Sequence, residues 1–331
     1  MELPGERQGN SSSSIRSSLS RSLLFALKLS VGLSILYWLI VTGRFDIEMY
    51  RTLVQPGAIA YALAAMTLQG ASILLSLARW QLLLKAVGIP LSLAEALRLG
   101  CQGTYMGLFL PGTLGVDGLR MLHLKTHHRK HLLAGLASIT MDRALGFVGL
   151  LVLAISFSSL FMLERGEGLS PSLILWMVGA LFVAFMVLAV ACGFIPMKGM
   201  KLLRRVKLLA GFIDALGSYR EFHWTLVSAI GLSIMGNFLV TLAACCGLAA
   251  LGLPFSLLAV ATVTPILIVI RFLPLTPMGL GVTDAAAVEL YRMVGLSGGA
   301  ENQMLLRATW IIFVLLCGLS FFGGAKQKQA R

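Results

Sequence analysis

The sequence predicts an all-α polytopic membrane protein, with about six transmembrane helices and two re-entrant helical hairpins in an inverted repeat. Three observations lead there. Of 331 residues, 57% are hydrophobic and only 12% charged, against about 25% charged in ordinary soluble domains. The apolar residues gather into runs close to the ~20 residues that a bilayer requires. Two further apolar stretches are interrupted by proline and glycine. This composition excludes a soluble globular enzyme and, over most of the length, disorder. Lys and Arg number 27 against 14 Asp and Glu. These cations lie between apolar runs rather than in one solvated domain, so no nucleic-acid partner is expected.

Taken in order, residues 1–21 are polar and rich in serine (Ser11 to Ser14, Ser17, Ser18), and are expected to form a disordered cytosolic tail. Residues 22–323 are expected to form a single transmembrane domain, and 324–331 a basic cytosolic tail. Six segments are long and apolar enough to cross: 23–42, 57–78, 134–163, 171–194, 225–250 and 303–323. No small-residue cleavage site follows the first, so it reads as a retained anchor rather than a signal peptide. Six single crossings place 20 of the 27 cations on one side and four (Arg44, Arg51, Arg165, Arg292) on the other. Arg143, Arg271 and Arg307 remain at or within the membrane. Positive charge collects on the cytosolic side, so both termini are expected there.

The stretches 91–120 and 255–292 are too short and too broken to span. The first contains Pro111, Gly112 and Gly115; the second contains Pro265, Pro274, Pro277, Gly279 and Gly281. Each reads as helix, break, helix, because proline removes a backbone donor and glycine lets the chain turn. Freed backbone groups are tolerated at membrane depth only inside protein or facing a wet cavity. Both stretches are therefore expected to be re-entrant, the first entering from the cytosol and the second from outside. The breaks share an order: Phe109-Leu110-Pro111 then Leu114-Gly115-Val116-Asp117, and Phe272-Leu273-Pro274 then Leu280-Gly281-Val282-Thr283-Asp284. Span, span, hairpin, span occurs twice, over about 22–165 and 170–323, starting from opposite sides. Inverted repeats of this kind build secondary transporters, whose broken elements meet around the substrate.

Arg79-Trp80 with Leu82 to Leu84, Leu110-Pro111-Gly112 through Asp117 and Arg120, Ser138 through Asp142-Arg143, and Pro274-x-x-Pro277-x-Gly279-Leu280-Gly281-Val282-x-Asp284 resemble, in order and spacing, the flippase-like family that includes the transmembrane region of lysylphosphatidylglycerol synthases. The resemblance spans about residues 22–323. It implies lipid handling in a bacterial cytoplasmic (inner) membrane, with anionic membrane lipids as partners. Two departures stand out. Asp284 replaces the family's usual Glu, so a contact made by the longer side chain is expected to need a water here. The last span ends near Phe322 and the sequence at Arg331. No room is left for the soluble synthase domain, and aminoacyl transfer by this chain alone is not expected.

The buried cations carry the candidate site. Arg143 and Arg271 are read as guanidinium forks for a lipid phosphate. The structural alternatives are pairing of Arg143 with Asp142 or Asp117, or its snorkelling, and pairing of Arg271 with Asp284. Asp117 and Asp284 can hold arginines, cap the restarting helices, or take up protons. Arg79 and Arg120 are expected at the cytosolic boundary, as anchors to anionic lipid or as head-group contacts. Arg307 is expected to snorkel at the outer end of the last span, and Lys28 to do so at the other face. His123, His127, His128 and His131 lie in a cationic stretch read as a solvated loop rather than a metal site. Residues 198–220 read as a basic amphipathic surface helix. The five cysteines read as small buried hydrophobes.

No nucleotide-binding loop occurs, and no catalytic, cofactor or metal site is expected. The expected function is a flippase-like lipid transporter and not an enzyme. The alternatives are an accessory subunit that presents lipid to a lipid-modifying synthase or glycosyltransferase, and an intramembrane transferase using Asp117 or Asp284.

Overall fold

The computed structural model describes residues 26–108, 114–165, 211, 214–272 and 275–321. The expected span 171–194, most of the basic stretch 198–220, both tails, and Pro111, Gly112 and Pro274 lie outside the described residues. Within them all regular structure is helical. The helices are α1 (Ala26–Val41), α2 (Ala58–Ala86), α3 (Leu93–Met106), α4 (Leu114–His127), α5 (Leu132–Arg165), α6 (His223–Ala250), α7 (Leu257–Phe272), α8 (Val282–Met293) and α9 (Gly299–Gly318). Short 3-10 turns occupy Ile47–Val54 and Pro277–Gly279.

α2, α5, α6 and α9 are long and apolar enough to cross a membrane, and α1 is a shorter apolar helix. At 1.5 Å per residue, α2 is about 43 Å long and α5 about 51 Å, both longer than the ~30 Å hydrocarbon layer. Their large apolar side chains lie on the outside as well as inside: Tyr37, Leu63, Leu163 and Trp224 are exposed. A soluble protein hides such groups, whereas a bilayer solvates them. Small residues let the helix axes approach. Gly70 faces the Phe313 ring, Gly100 the Leu77 side chain, and Gly149 the Ser233 backbone and side chain.

α2 and α6 pack along much of their lengths, with α5 against α6 and α7. One core joins Ala243, Leu248, Val260, Val263, Leu267, Leu290 and Tyr291 across α6, α7 and α8. A second gathers Trp80, Leu84, Leu99, Leu124 and Ile139 between α2, α3, α4 and α5. α3 starts on a capping box: Ser92 Oγ accepts from the Glu95 N–H, and Glu95 accepts from the Ser92 N–H at 3.1 Å. α3 and α4 then touch closely at Gly103 and Gly115: a Cβ on Gly103 would meet the Val116 backbone, and one on Gly115 the backbone of Gly107 and Gly103.

Each interrupted stretch holds two helices, α3 and α4 in the first and α7 and α8 in the second, with one difference from expectation. α7 runs through Pro265, and the second interruption falls between Phe272 and Val282, where it is expected. The missing proline donor leaves only one helical bond unmade, and the flanking packing tolerates this. The difference is that α4 runs past residue 120 to His127. His123 and His127 therefore stand on a helix, ring centroids 4.5 Å apart, rather than in a loop. Among the described cysteines, Cys245 and Cys317 are buried and Cys101 and Cys246 half-buried, all free thiols.

The second break is a tight backbone fold. Met278, Gly279 and Gly281 have φ of 54°, 72° and 78°. Gly281 also abuts the Gly32 carbonyl of α1. Gly281→Ala is expected to destabilise by at least about 2 kcal/mol, from left-handed backbone plus steric conflict. Gly118 of α4 has open space around it and an ordinary helical backbone. Gly118→Ala is expected to gain about 0.5–1 kcal/mol. Thermal unfolding in detergent distinguishes the two, which should shift in opposite directions.

Candidate functional site

Five charged side chains from three helices form one network. Asp142, on α5, is buried and accepts from two arginines: Arg79 Nε on α2 at 2.7 Å, and Arg120 Nη1 on α4 at 3.1 Å. Arg79 also donates to Ser233 of α6 at 2.7 Å. Arg120 stacks 4.3 Å over the Trp80 ring, and Trp80 Nε1 donates to Ser138 at 3.3 Å. Arg143 donates from Nη2 to both Asp117 oxygens, at 2.9 and 2.8 Å. Asp117 lies 3.7 Å from Arg120, which closes the network. Three arginines face two aspartates, so the cluster carries one surplus positive charge.

Its members divide by accessibility. Arg79, Arg120 and Asp142 are buried, whereas the Arg143 side chain is 41% exposed. Asp142 and Arg143 are adjacent on α5. Successive helical residues diverge by about 100°, so the carboxylate turns inward and the guanidinium turns out. A cavity of about 590 Å³ opens at this point between α2, α5, α6 and α7. Arg79, Arg143, Ser72, Ser76, Ser233 and Asn237 give it polar groups; Phe147, Leu150, Leu232, Ile268 and Phe272 line the rest. Gly146 and Gly236 leave it room. The volume lies within the range of small-ligand pockets. A mostly apolar wall with a guanidinium at its edge suits an amphipathic anion.

The remaining charges assemble elsewhere. Arg307, on α9, donates to both Asp284 oxygens at 3.2 and 3.0 Å and to Thr283 at 3.1 Å. Asp284 is fully buried and also accepts the Gly281 N–H at 2.8 Å, which caps α8. Arg271 donates to Gln303 at 2.8 Å in a part-buried contact, although the residue as a whole is exposed, and no carboxylate lies within ion-pair distance among the described residues.

Several expectations change accordingly. Arg79 and Arg120 are buried ion-pair members rather than boundary anchors, because α2 continues to Ala86 and keeps Arg79 inside the bundle. Arg307 does not snorkel: α9 begins at Gly299, which turns this side chain into the core. It takes the carboxylate expected for Arg271. The shorter Asp284 reaches its partner directly, without a water. Arg143 and Arg271 do not line one cavity; Arg143 shares it with Arg79. Asp142 was not among the expected site residues, although it is the hub. Its signal was a lone carboxylate deep in a long apolar run, which requires a cationic partner.

Asp142→Asn leaves two buried guanidinium groups sharing no carboxylate, and is expected to cost about 3–5 kcal/mol. Arg143→Gln breaks a half-exposed pair and is expected to cost less than about 1 kcal/mol. Thermal or denaturant unfolding in detergent checks both; equal losses would show that Asp142 is no hub.

The profile described as Lysylphosphatidylglycerol synthase TM region matches residues 25–301. No significant match is found among curated proteins or among solved structures. The matched range takes in the charge network, the cavity walls and both interrupted stretches, and ends within α9. The chain thus belongs to the family of the lysylphosphatidylglycerol synthase TM region, integral membrane proteins tied to lipid metabolism.

Proposed function

We propose that this protein is a lipid transporter that moves an anionic phospholipid or lipid-linked head group between leaflets, and that it is not an enzyme. The observation that carries the reading is the cavity of about 590 Å³ with Arg143 at an accessible edge and one surplus positive charge behind it. A head group enters beside Arg143, whose fork suits a phosphate. The seryl hydroxyls and Asn237 satisfy its neutral oxygens, while acyl chains stay in the lipid along α5 and α7. Family membership supports a lipid as the ligand.

The repeat belongs to the same reading. Asp117 and Asp284 each lie in the first turn after a break, and each binds an arginine on the next long helix. The intervals are 26 and 23 residues. The counterpart of Arg143 is therefore Arg307 rather than Arg271. This parallel supports two units of opposite orientation within one transmembrane domain, with α3–α4 and α7–α8 as re-entrant hairpins. The cation distribution supports cytosolic termini in a bacterial inner membrane. Rocking of one unit against the other alternates access.

Reconstitution with a labelled anionic phospholipid, followed by measurement of leaflet exchange, tests the proposal. Arg143→Gln removes one charge-assisted contact and should slow exchange by about tenfold. Gly236→Leu fills the cavity beside Ser72 without touching an ion pair, and should slow it at least as much. Exchange at the parental rate in both folded variants would exclude this cavity as the route. Absence of exchange by the purified protein, with recovery of a stoichiometric lipid-modifying enzyme in mild detergent, would favour the accessory reading.

A further inference from the structure

The two acid–arginine pairs that follow the breaks have the same chemistry but opposite accessibility. Arg143 and Asp117 are 41% and 23% exposed beside a cavity, whereas Arg307 and Asp284 are 7% and 0% exposed. The second pair is nonetheless built like a ligand site. Arg307 presents its two terminal nitrogens to a carboxylate as it would to a phosphate. Thr283 adds a hydroxyl at 3.1 Å. Arg271 stands next to this cluster, since a Cβ on Gly279 would meet both its side chain and that of Thr283. Two arginines against one carboxylate leave one surplus positive charge here, matching the first cluster. The Arg271 guanidinium donates to the Gln303 amide oxygen and has no carboxylate within ion-pair distance among the described residues.

From this asymmetry we infer that Arg307, Thr283 and Arg271 form a second anion site, latent in this conformation, that takes a lipid phosphate when the protein faces the other way. The inference rests on the transport reading and deepens it. In the present state Asp284 occupies the fork of Arg307 and holds the site shut. In the opposite state the two pairs exchange roles: Asp117–Arg143 closes and Asp284–Arg307 opens. Gly279 and Gly281, with left-handed backbones beside the pair, allow the connecting turn to refold without side-chain conflict. The first half has an additional buried acid, Asp142, shared by Arg79 and Arg120. The second half places its equivalent charge, Arg271, at an accessible position instead.

The test uses the full chain, with its five native cysteines replaced, in phosphatidylcholine nanodiscs whose two faces are both open to reagent. Single cysteines at Thr283→Cys and at Thr140→Cys, the latter on the cavity wall with Arg143, report the second and first sites, respectively. Asp284→Asn weakens the closed pair and should shift the population toward the opposite state. Maleimide labelling at Thr283→Cys should then rise about tenfold while labelling at Thr140→Cys falls. Adding phosphatidylglycerol should slow labelling at Thr283→Cys in the Asp284→Asn background, and Arg307→Gln should remove that protection. Rises at both reporters would indicate local unfolding and overturn the inference, as would no change at either. Reciprocal labelling without lipid protection would overturn the anion site and retain the conformational exchange. The labelling is read without any transport, so failure of lipid exchange alone would count against the transport reading and not against the latent pair.

Discussion

The bundle depends on how a buried carboxylate distributes itself between two buried guanidinium groups. Moving a charge out of water costs several kcal/mol even after relaxation, and only close opposite charges with satisfied hydrogen bonds offset this. Asp142 meets that condition for Arg79 and Arg120 at once. The three side chains come from α2, α4 and α5, and Ser233 brings in α6. One residue thereby fixes the rotation of three long helices about their axes and holds the second helix of an interrupted stretch against them. Trp80 completes the arrangement by covering the face of Arg120.

That arrangement also makes an accessible cation available. With Asp142 committed inward, its neighbour Arg143 pairs with Asp117 among the described residues, and the two are the most accessible members of the network. The surplus charge lies behind this pair, in the buried Arg79–Asp142–Arg120 trio, of which Arg79 also lines the cavity. The apolar side chains of α5 and α7 exclude water from the rest of the wall, which strengthens any electrostatic contact at its edge. A rotation of one residue along the helix separates the buried carboxylate Asp142 from the accessible cation Arg143.

Much of the architecture was legible in the sequence. The long apolar runs correspond to α2, α5, α6 and α9, and the two interrupted stretches each give a pair of shorter helices; Gly115, expected in the first break, lies inside α4, whereas Gly279 and Gly281 fall in the second break with left-handed backbones. Detail within those stretches was less legible. Pro265 has the residue type of a break but sits between well-packed turns, so context outweighs the loss of one backbone bond. The histidine-rich segment has the composition of a loop, yet the packing of Leu124 against Ile139 and Trp80 keeps it helical. Local propensity is a weak prior wherever tertiary burial is large.

The charged network was legible in part: its arginines and Asp117 stand out in the sequence, its hub Asp142 did not, and the partner of Arg143 was left open between Asp142 and Asp117. Sequence alone determined that arginines and aspartates deep in apolar runs must find partners, because the cost of an unpaired charge is a property of each segment. It also determined the membrane class and where the interruptions lie. Only the tertiary structure decided that Asp142 takes Arg79 and Arg120, that Asp117 takes Arg143, and that Asp284 takes Arg307 and leaves Arg271 to Gln303. The physical reason is that partner choice depends on the rotation and relative shift of helices far apart in the chain. Hydropathy is indifferent to these, while an ion pair of 3 Å is sensitive to them within a fraction of a turn.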